Sequence, residues 1–209
     1  MLDAVKQAVR SVMRTFARLL NTLSGGRLTP NAVTIIGVIM HAPIALLIAF
    51  QHNLWSAVLL LVFGLFDTLD GELARLQNRQ SARGRLLDSV TDRMKEIMLY
   101  TGAAYAIIAS THRPDLAVWA VAACGCSLLT SYVNAAGDSI MAGQKVKEHA
   151  ANKAFRGGFF PFEIRMFILF VGLLTNRVPL AVIVIACGAA LTALSRLMRV
   201  YTRLAEPNV

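Results

Sequence analysis

Four aspartates, Asp67, Asp70, Asp88 and Asp92, lie where two strongly apolar segments of this chain meet. A carboxylate at membrane depth is costly unless it binds a cation or faces a polar cavity. At about 100° per residue, Asp67, Asp70, Gly71 and Ala74 share one side of a helix. Gly84, Asp88 and Asp92 step by four and form a second stripe. Packing those two helices together brings four carboxylates into one place, where their repulsion calls for neutralising cations. The pattern therefore predicts a membrane-embedded site for two divalent ions. All-oxygen ligation favours a hard ion, and Mg²⁺ is the usual partner when a phosphate-bearing substrate completes the shell, with Mn²⁺ as a substitute. Two adjacent ions suit displacement at phosphorus, one stabilising the attacking oxygen and the other the leaving oxygen.

The rest of the chain agrees with an all-α polytopic membrane protein. Of its 209 residues 56% are hydrophobic and 16% charged, a balance that excludes a disordered chain. Weakly charged runs cover 32–50, 54–66, 97–111, 116–137, 166–176 and 178–195. The shorter ones fall below the roughly 20 residues of a span. The second must continue through Asp67 and Asp70, the third must begin near Gly84, and the fifth needs Phe159 to Arg165. Six transmembrane helices result, forming one domain over 1–209. With both termini cytoplasmic, the outer turns near 51–53, 110–115 and 176–178 hold only Arg113 and Arg177, so nineteen of the 21 Lys and Arg lie inside. This places the active site at the cytoplasmic face of the membrane. The net charge of +9 is then read as contact with anionic lipid head groups, and no nucleic-acid partner is expected.

Residues 1–26 form a separate juxtamembrane element. Lys6, Arg10, Arg14 and Arg18 recur every four residues, which is unlike a signal peptide. Val5, Val9, Val12, Met13, Phe16, Leu19, Leu20 and Leu23 make the apolar side of the same helix, so an N-terminal amphipathic helix lying in the interface is predicted. Cys124, Cys126 and Cys187 fall inside apolar spans and read as small hydrophobes. The histidines show no ligand spacing, and His41, just before Ala42-Pro43, reads as structural.

The full spacing is D-x2-D-G-x2-A-R-x8-G-x3-D-x3-D. It resembles the signature of the CDP-alcohol phosphotransferase family, membrane enzymes that join an alcohol to a lipid with release of CMP. Upstream, Pro30, Asn31, Thr34 and Gly37 match that family's P-N-x2-T-x2-G stretch, so the resemblance covers roughly 27–96. It implies a CDP-diacylglycerol-type lipid, or an ether analogue, bound by Asn31, Thr34, Gly71, Ala74, Arg75 and Gly84. It also implies metal ligation by Asp67, Asp70, Asp88 and Asp92, with Asp92 as general base. Arg75 is suited to pair with phosphate or to orient an aspartate, since its fork of donors matches both. The family often forms homodimers.

The resemblance implies a small polar alcohol as acceptor. Ser131-Tyr132-Val133 looks like the S-Y-V segment of phosphatidylinositol-phosphate synthases, whose following lysine and arginine are Asn134 and Ala136 here. Ser131, Lys153, Arg156 and Arg165 are the candidate acceptor ligands, and they point to a phospho-alcohol such as inositol phosphate or glycerol phosphate. Inositol or serine is the alternative. A divalent-cation transporter would also explain the aspartates, but would leave Gly71, Ala74, Arg75 and Gly84 without a role.

Overall fold

The computed structural model describes residues 2–143 and 160–205, and all the regular structure among them is helical. In chain order the helices are α1 (Leu2–Leu23), α2 (Pro30–Ala49), α3 (Asn53–Gly64), α4 (Phe66–Leu76), α5 (Ala82–Thr111), α6 (Pro114–Gly143), α7 (Phe162–Leu174) and α8 (Val178–Ala205). The chain divides into two compact units, Met1–Leu99 and Tyr100–Val209. Helices are the natural answer to apolar runs of this length, because each satisfies its own backbone hydrogen bonds where no water can.

Among the described residues, four stretches are long and apolar enough to cross a bilayer: Pro30–Ala49, Asn53–Leu76, Pro114–Ile140 and Val178–Leu204. This is an integral membrane protein. The second stretch is α3 and α4 read together, with Leu65 at the joint, so the apolar run does continue through Asp67 and Asp70. α5 begins at Ala82, close to the expected start near Gly84, but its first half is charged. The fifth apolar run departs from expectation at its start. α7 begins at Phe162 rather than Phe159, because Pro161 takes the N-cap position and the Phe160 amide donates to Thr192 Oγ1 at 3.1 Å. Its 13 residues reach only about 20 Å.

The turns are closed by local chemistry. Thr29 Oγ1 accepts the Ala32 amide at 3.2 Å and Pro30 opens α2, a cap with a proline in the first turn. Gln51, Asn78, His112 and Asn176 have φ between 53° and 62°, the left-handed conformation that reverses the chain after a helix.

In the first unit the core lies between α1, α2 and α4. Met13 and Ala17 are buried against Val33, Leu69 and Leu73, with Val9 and Leu20 packed beside them. Val12, Phe16, Leu19 and Leu23 leave the same helix in other directions and stay exposed, Leu23 to 74%. The broad apolar side of α1 is thus divided, one part packing on α4 and one part facing outward. In the second unit α8 packs along both α6 and α7. Small side chains, among them Ala120, Ala123, Ala181, Ala189 and Ala193, are buried there and let helix backbones approach. Thr130 Oγ1 stitches α6 to α8 by donating to Ala189 O at 3.2 Å. None of the three cysteines is in a disulfide, Cys124 and Cys126 being half-buried and Cys187 exposed. His41 is buried with Nδ1 2.7 Å from Gly37 O, a contact one turn back along its own helix, as expected of a structural histidine.

The α7–α8 contact has no slack at Gly172, where an added Cβ would collide with the Ala181 side chain. Gly172→Ala should lower stability by about 1–3 kcal/mol. Gly125→Ala, where the new methyl meets nothing within 4 Å, should be neutral or slightly stabilising. Thermal unfolding of both variants in detergent checks the contrast.

Candidate active site

The site is assembled from α2, α4 and the start of α5. α4 presents Asp67, Asp70, Gly71 and Ala74 in the 3-4 rhythm of one helix face. α5 starts where Ser81 Oγ accepts the Gly84 amide at 3.0 Å, an N-cap bond that sets the register of Gly84, Asp88 and Asp92. As a result Asp67, Asp88 and Asp92 each offer an oxygen within 4.8 Å of the others. The fourth aspartate is held apart from this trio. Asp70 is 6% exposed, and its Oδ2 accepts the Thr34 hydroxyl at 2.5 Å, tying α4 to α2.

Three carboxylates this close repel one another strongly, and positive charge is already present. Lys95, 1% exposed and one turn beyond Asp92, donates its ammonium to Asp67 Oδ1 and, at 3.2 Å, to Asp92 Oδ1. Arg93 adds a longer contact of 3.7 Å to Asp92 Oδ2 and pairs with buried Glu96 at 3.0 Å. Asp88 is left differently: its Oδ1 is enclosed and accepts no hydrogen bond from the described residues. A buried carboxylate oxygen without a donor is an open ligand position for a cation. The donor set, all oxygen and all anionic, fits a hard divalent ion.

Beside the carboxylates opens a cleft of about 260 Å³. Its walls include Asn31, Thr34, Asp70, Gly71, Ala74, Arg75, Gly84 and Asp88, every one a residue singled out from the sequence pattern. Arg79, Gln80, Ser81 and Arg85 join them. Nothing lies within 4 Å of the place a Gly71 side chain would take, so the α4 backbone is open to a ligand there. At Gly84 a Cβ would come 3.3 Å from Ser81 Oγ and 3.5 Å from Asn31 Oδ1, so glycine keeps that wall tight.

Arg75 is steered from below by a residue that the sequence pattern did not single out. Glu72, 3% exposed, accepts from Arg75 Nη1 at 2.5 Å and from Arg14 Nε of α1 at 3.2 Å. Gln77 adds a second tie, donating to Asn21 Oδ1 and Leu28 O at 2.8 Å each. The N-terminal helix is therefore linked to the arginine that borders the cleft. Glu72 is three residues before Arg75 and could have been read as its partner, but the Arg14 contact spans 58 positions and has no local signal.

The expected acceptor residues fall in the second unit. Ser131 is half-buried, its hydroxyl 3.4 Å from Ser127 O. Arg165 is 1% exposed, donates to Phe160 O at 3.0 Å and lies 5.9 Å from the centre of the Phe162 ring. Lys153 and Arg156 lie outside the described residues. Arg196, absent from the sequence-based set, donates to Thr130 O at 3.4 Å and has an enclosed Nε without a partner among the described residues. It feels the positive charge of Arg165 and Arg199, so three guanidinium groups share one region. A cationic side chain in the last apolar helix looks like a positive-inside residue from sequence, which is why it passed unnoticed.

Residues 27–194 match the family model for CDP-alcohol phosphatidyltransferase. The chain belongs to that family and is a membrane-bound transferase. It is 31% identical over 180 residues to a phosphatidylinositol phosphate synthase of Corynebacterium glutamicum, covering 82% of this chain and 77% of that one. It is 26% identical over 205 residues to an archaetidylinositol phosphate synthase of Pyrococcus horikoshii, covering 98% of both. Its fold is that of the Mycobacterium tuberculosis phosphatidylinositol phosphate synthase. The structure of that protein with CDP-DAG bound superposes with a TM-score of 0.78 at 23% identity, over 92% of this chain and 94% of the other. The same enzyme in complex with manganese and citrate gives 0.76 at 24% identity, over 91% and 89%.

Removing the Glu72 carboxylate leaves two guanidinium groups without their shared acceptor. Glu72→Ala should lower hydrogen-exchange protection of the α1 amides facing α4, around Met13 and Ala17, by about tenfold, in line with loss of a buried charged hydrogen bond. Exchange measured on both proteins by mass spectrometry checks this, with the α6–α8 amides as an unaffected control.

Proposed function

We propose that this enzyme transfers a phosphatidyl group, or its ether-lipid counterpart, from a CDP-activated lipid to a phospho-alcohol, releasing CMP in phospholipid synthesis. The observation that carries the reading is the trio Asp67, Asp88 and Asp92 at the end of a cleft lined by the whole glycine, alanine and arginine part of the signature. The CDP-DAG complex of the Mycobacterium tuberculosis relative supports a nucleotide-lipid donor. The synthases that use this fold among the relatives favour inositol phosphate as acceptor, with glycerol phosphate second.

In this reading Asn31, Thr34, Gly71, Ala74 and Gly84 bind the cytidine diphosphate. Arg75, with Arg79 and Arg85, pairs with its phosphates, since guanidinium groups match phosphate oxygens bidentately. Asp67, Asp70, Asp88 and Asp92 are the ligands for two Mg²⁺ ions, and the manganese complex of the relative supports a divalent metal. Such ions supply charge stabilisation for the attacking and leaving oxygens. Asp92 takes the proton of the acceptor hydroxyl as that oxygen forms its bond to the lipid-side phosphorus. The bond from that phosphorus to the bridging oxygen breaks, and CMP departs. Ser131, Lys153, Arg156 and Arg165, joined by Arg196, form the acceptor set, where a buried phosphate requires charge-assisted donors.

The chain works as one domain, a view favoured by a family match that runs through both units. It crosses the membrane six times, α5 and α7 being the two crossings that are charged or short. Both termini and the active site are cytoplasmic, and α1 lies in the interface with Val12, Phe16, Leu19 and Leu23 toward lipid, their exposure supporting that side. A homodimer is the proposed assembly, on the family's habit.

Activity should vanish on chelation and return with Mg²⁺ or Mn²⁺, and CMP release that persists in excess EDTA would exclude the metal centre. Asp88→Asn should weaken metal and CDP-lipid binding together, whereas Asp92→Asn should cut turnover by about 10² or more with much of the binding intact. Equal binding losses in both would remove the separate role of Asp92.

For the acceptor, purified enzyme incubated with CDP-diacylglycerol, Mg²⁺ and a panel of alcohols and phospho-alcohols identifies the substrate by mass spectrometry of the lipid product. Arg156→Ala and Arg196→Ala should raise the acceptor KM by about tenfold or more while changing that of the CDP-lipid little. Wild-type acceptor kinetics in both variants, or activity with unphosphorylated alcohols only, would remove the phosphate pocket.

A further inference from the structure

Lys95 is a buried charge to which the proposed reaction assigns no role. It is 1% exposed, sits on α5 one turn past Asp92, and has its ammonium on two of the three clustered carboxylates, Asp67 Oδ1 and Asp92 Oδ1. The third member, Asp88, keeps an enclosed oxygen without a donor. Lys95 thus covers two of the three anions, and the only other cation near them, Arg93 at 3.7 Å from Asp92, is itself paired with Glu96, so the cluster stays net negative among the described residues. A lysine buried without such partners would be strongly disfavoured, so its position is defined by the carboxylates.

We propose that Lys95 is a tethered cation that competes with the divalent metal for Asp67 and Asp92 and thereby sets the affinity of the site. With the metal absent, its ammonium offsets the carboxylate repulsion and holds α4 against α5. A divalent ion taking those same oxygens displaces the ammonium from at least one of them. The four-carbon stem and compact head of lysine permit that withdrawal, whereas a guanidinium would span both carboxylates and resist it. The consequence is a site that folds without metal and binds it more weakly than four bare aspartates would. Metal retention then depends on the extra oxygen ligands of a phosphate-bearing substrate. This inference rests on the metal centre proposed above, and its own content is the competition.

The test is Mn²⁺ binding to purified, metal-stripped protein in detergent, followed by electron paramagnetic resonance of the free ion, with no substrate present. Lys95→Met should tighten Mn²⁺ binding by about tenfold or more, since one repelling unit charge is removed at contact distance. It should also lower the melting temperature in EDTA and enlarge the upward shift produced by Mn²⁺. Lys95→Arg, which keeps the charge and so the fold, should weaken Mn²⁺ binding several-fold. If Lys95→Met does not fold without metal, the arginine variant decides alone. Unchanged or weaker affinity in folded Lys95→Met, or wild-type affinity in Lys95→Arg, overturns the competition. Absence of Mn²⁺ binding by the wild-type protein itself would instead remove the metal centre on which the inference rests.

Discussion

Mutual repulsion among Asp67, Asp88 and Asp92 is the constraint to which the first unit is built. Oxygens within 4.8 Å of one another where α4 meets α5 are tolerable only with cations close by and a framework that resists splaying. Several contacts supply that framework. Lys95 bridges α5 to α4, Thr34 clamps Asp70 from α2, Ser81 caps α5 and fixes its register, and the apolar contact of α1 with α4 backs the arrangement. Apart from the local Ser81 cap, each joins a different pair of elements, so the carboxylates are held from several directions.

The same geometry separates two tasks within one signature. The aspartates that step along α5 concentrate charge, while Gly71 and Gly84 leave room and close walls beside it. Arg75 stands at the border of the cleft, aimed by Glu72, which is itself shared with Arg14. A helix whose exposed apolar residues suit a membrane surface is in this way mechanically joined to the cleft. The second unit follows other rules. Its helices approach through alanine and glycine, and hydroxyl and guanidinium groups such as Thr130 and Arg196 bond across them. Carboxylates cluster in the first unit at Asp67, Asp88 and Asp92, and guanidinium groups gather in the second at Arg165, Arg196 and Arg199.

Much was legible in the sequence because it was local. Apolar runs define helices, i, i+3 and i+4 spacing defines their faces, and the aspartate, glycine and arginine pattern lies on two consecutive helices. Six of the residues named from that pattern, Asp70, Gly71, Ala74, Arg75, Gly84 and Asp88, line the cleft for this reason, and the continuation of the second span through Asp67 and Asp70 followed from length alone. The start of α7 was misjudged because hydropathy does not register Pro161 as a cap or the Phe160 bond to Thr192.

Tertiary structure decided what depends on partners far apart in the chain. Periodicity puts Asp67 and Asp70 on one helix face, yet only packing determined that Asp70 turns to Thr34 while Asp67 joins Asp88 and Asp92. A lysine three residues past the last aspartate reads as another cytoplasmic charge until its ammonium is found on Asp67, 28 positions away. Arg14, Glu72 and Arg196 were hidden for the same reason, their roles being set by contacts across 58 and 66 residues. The chain by itself determined the helices, the family signature and the chemistry of the donors, because spacing along a helix is a local property. Which carboxylate meets which cation is a property of packed surfaces, and the fold alone decided it.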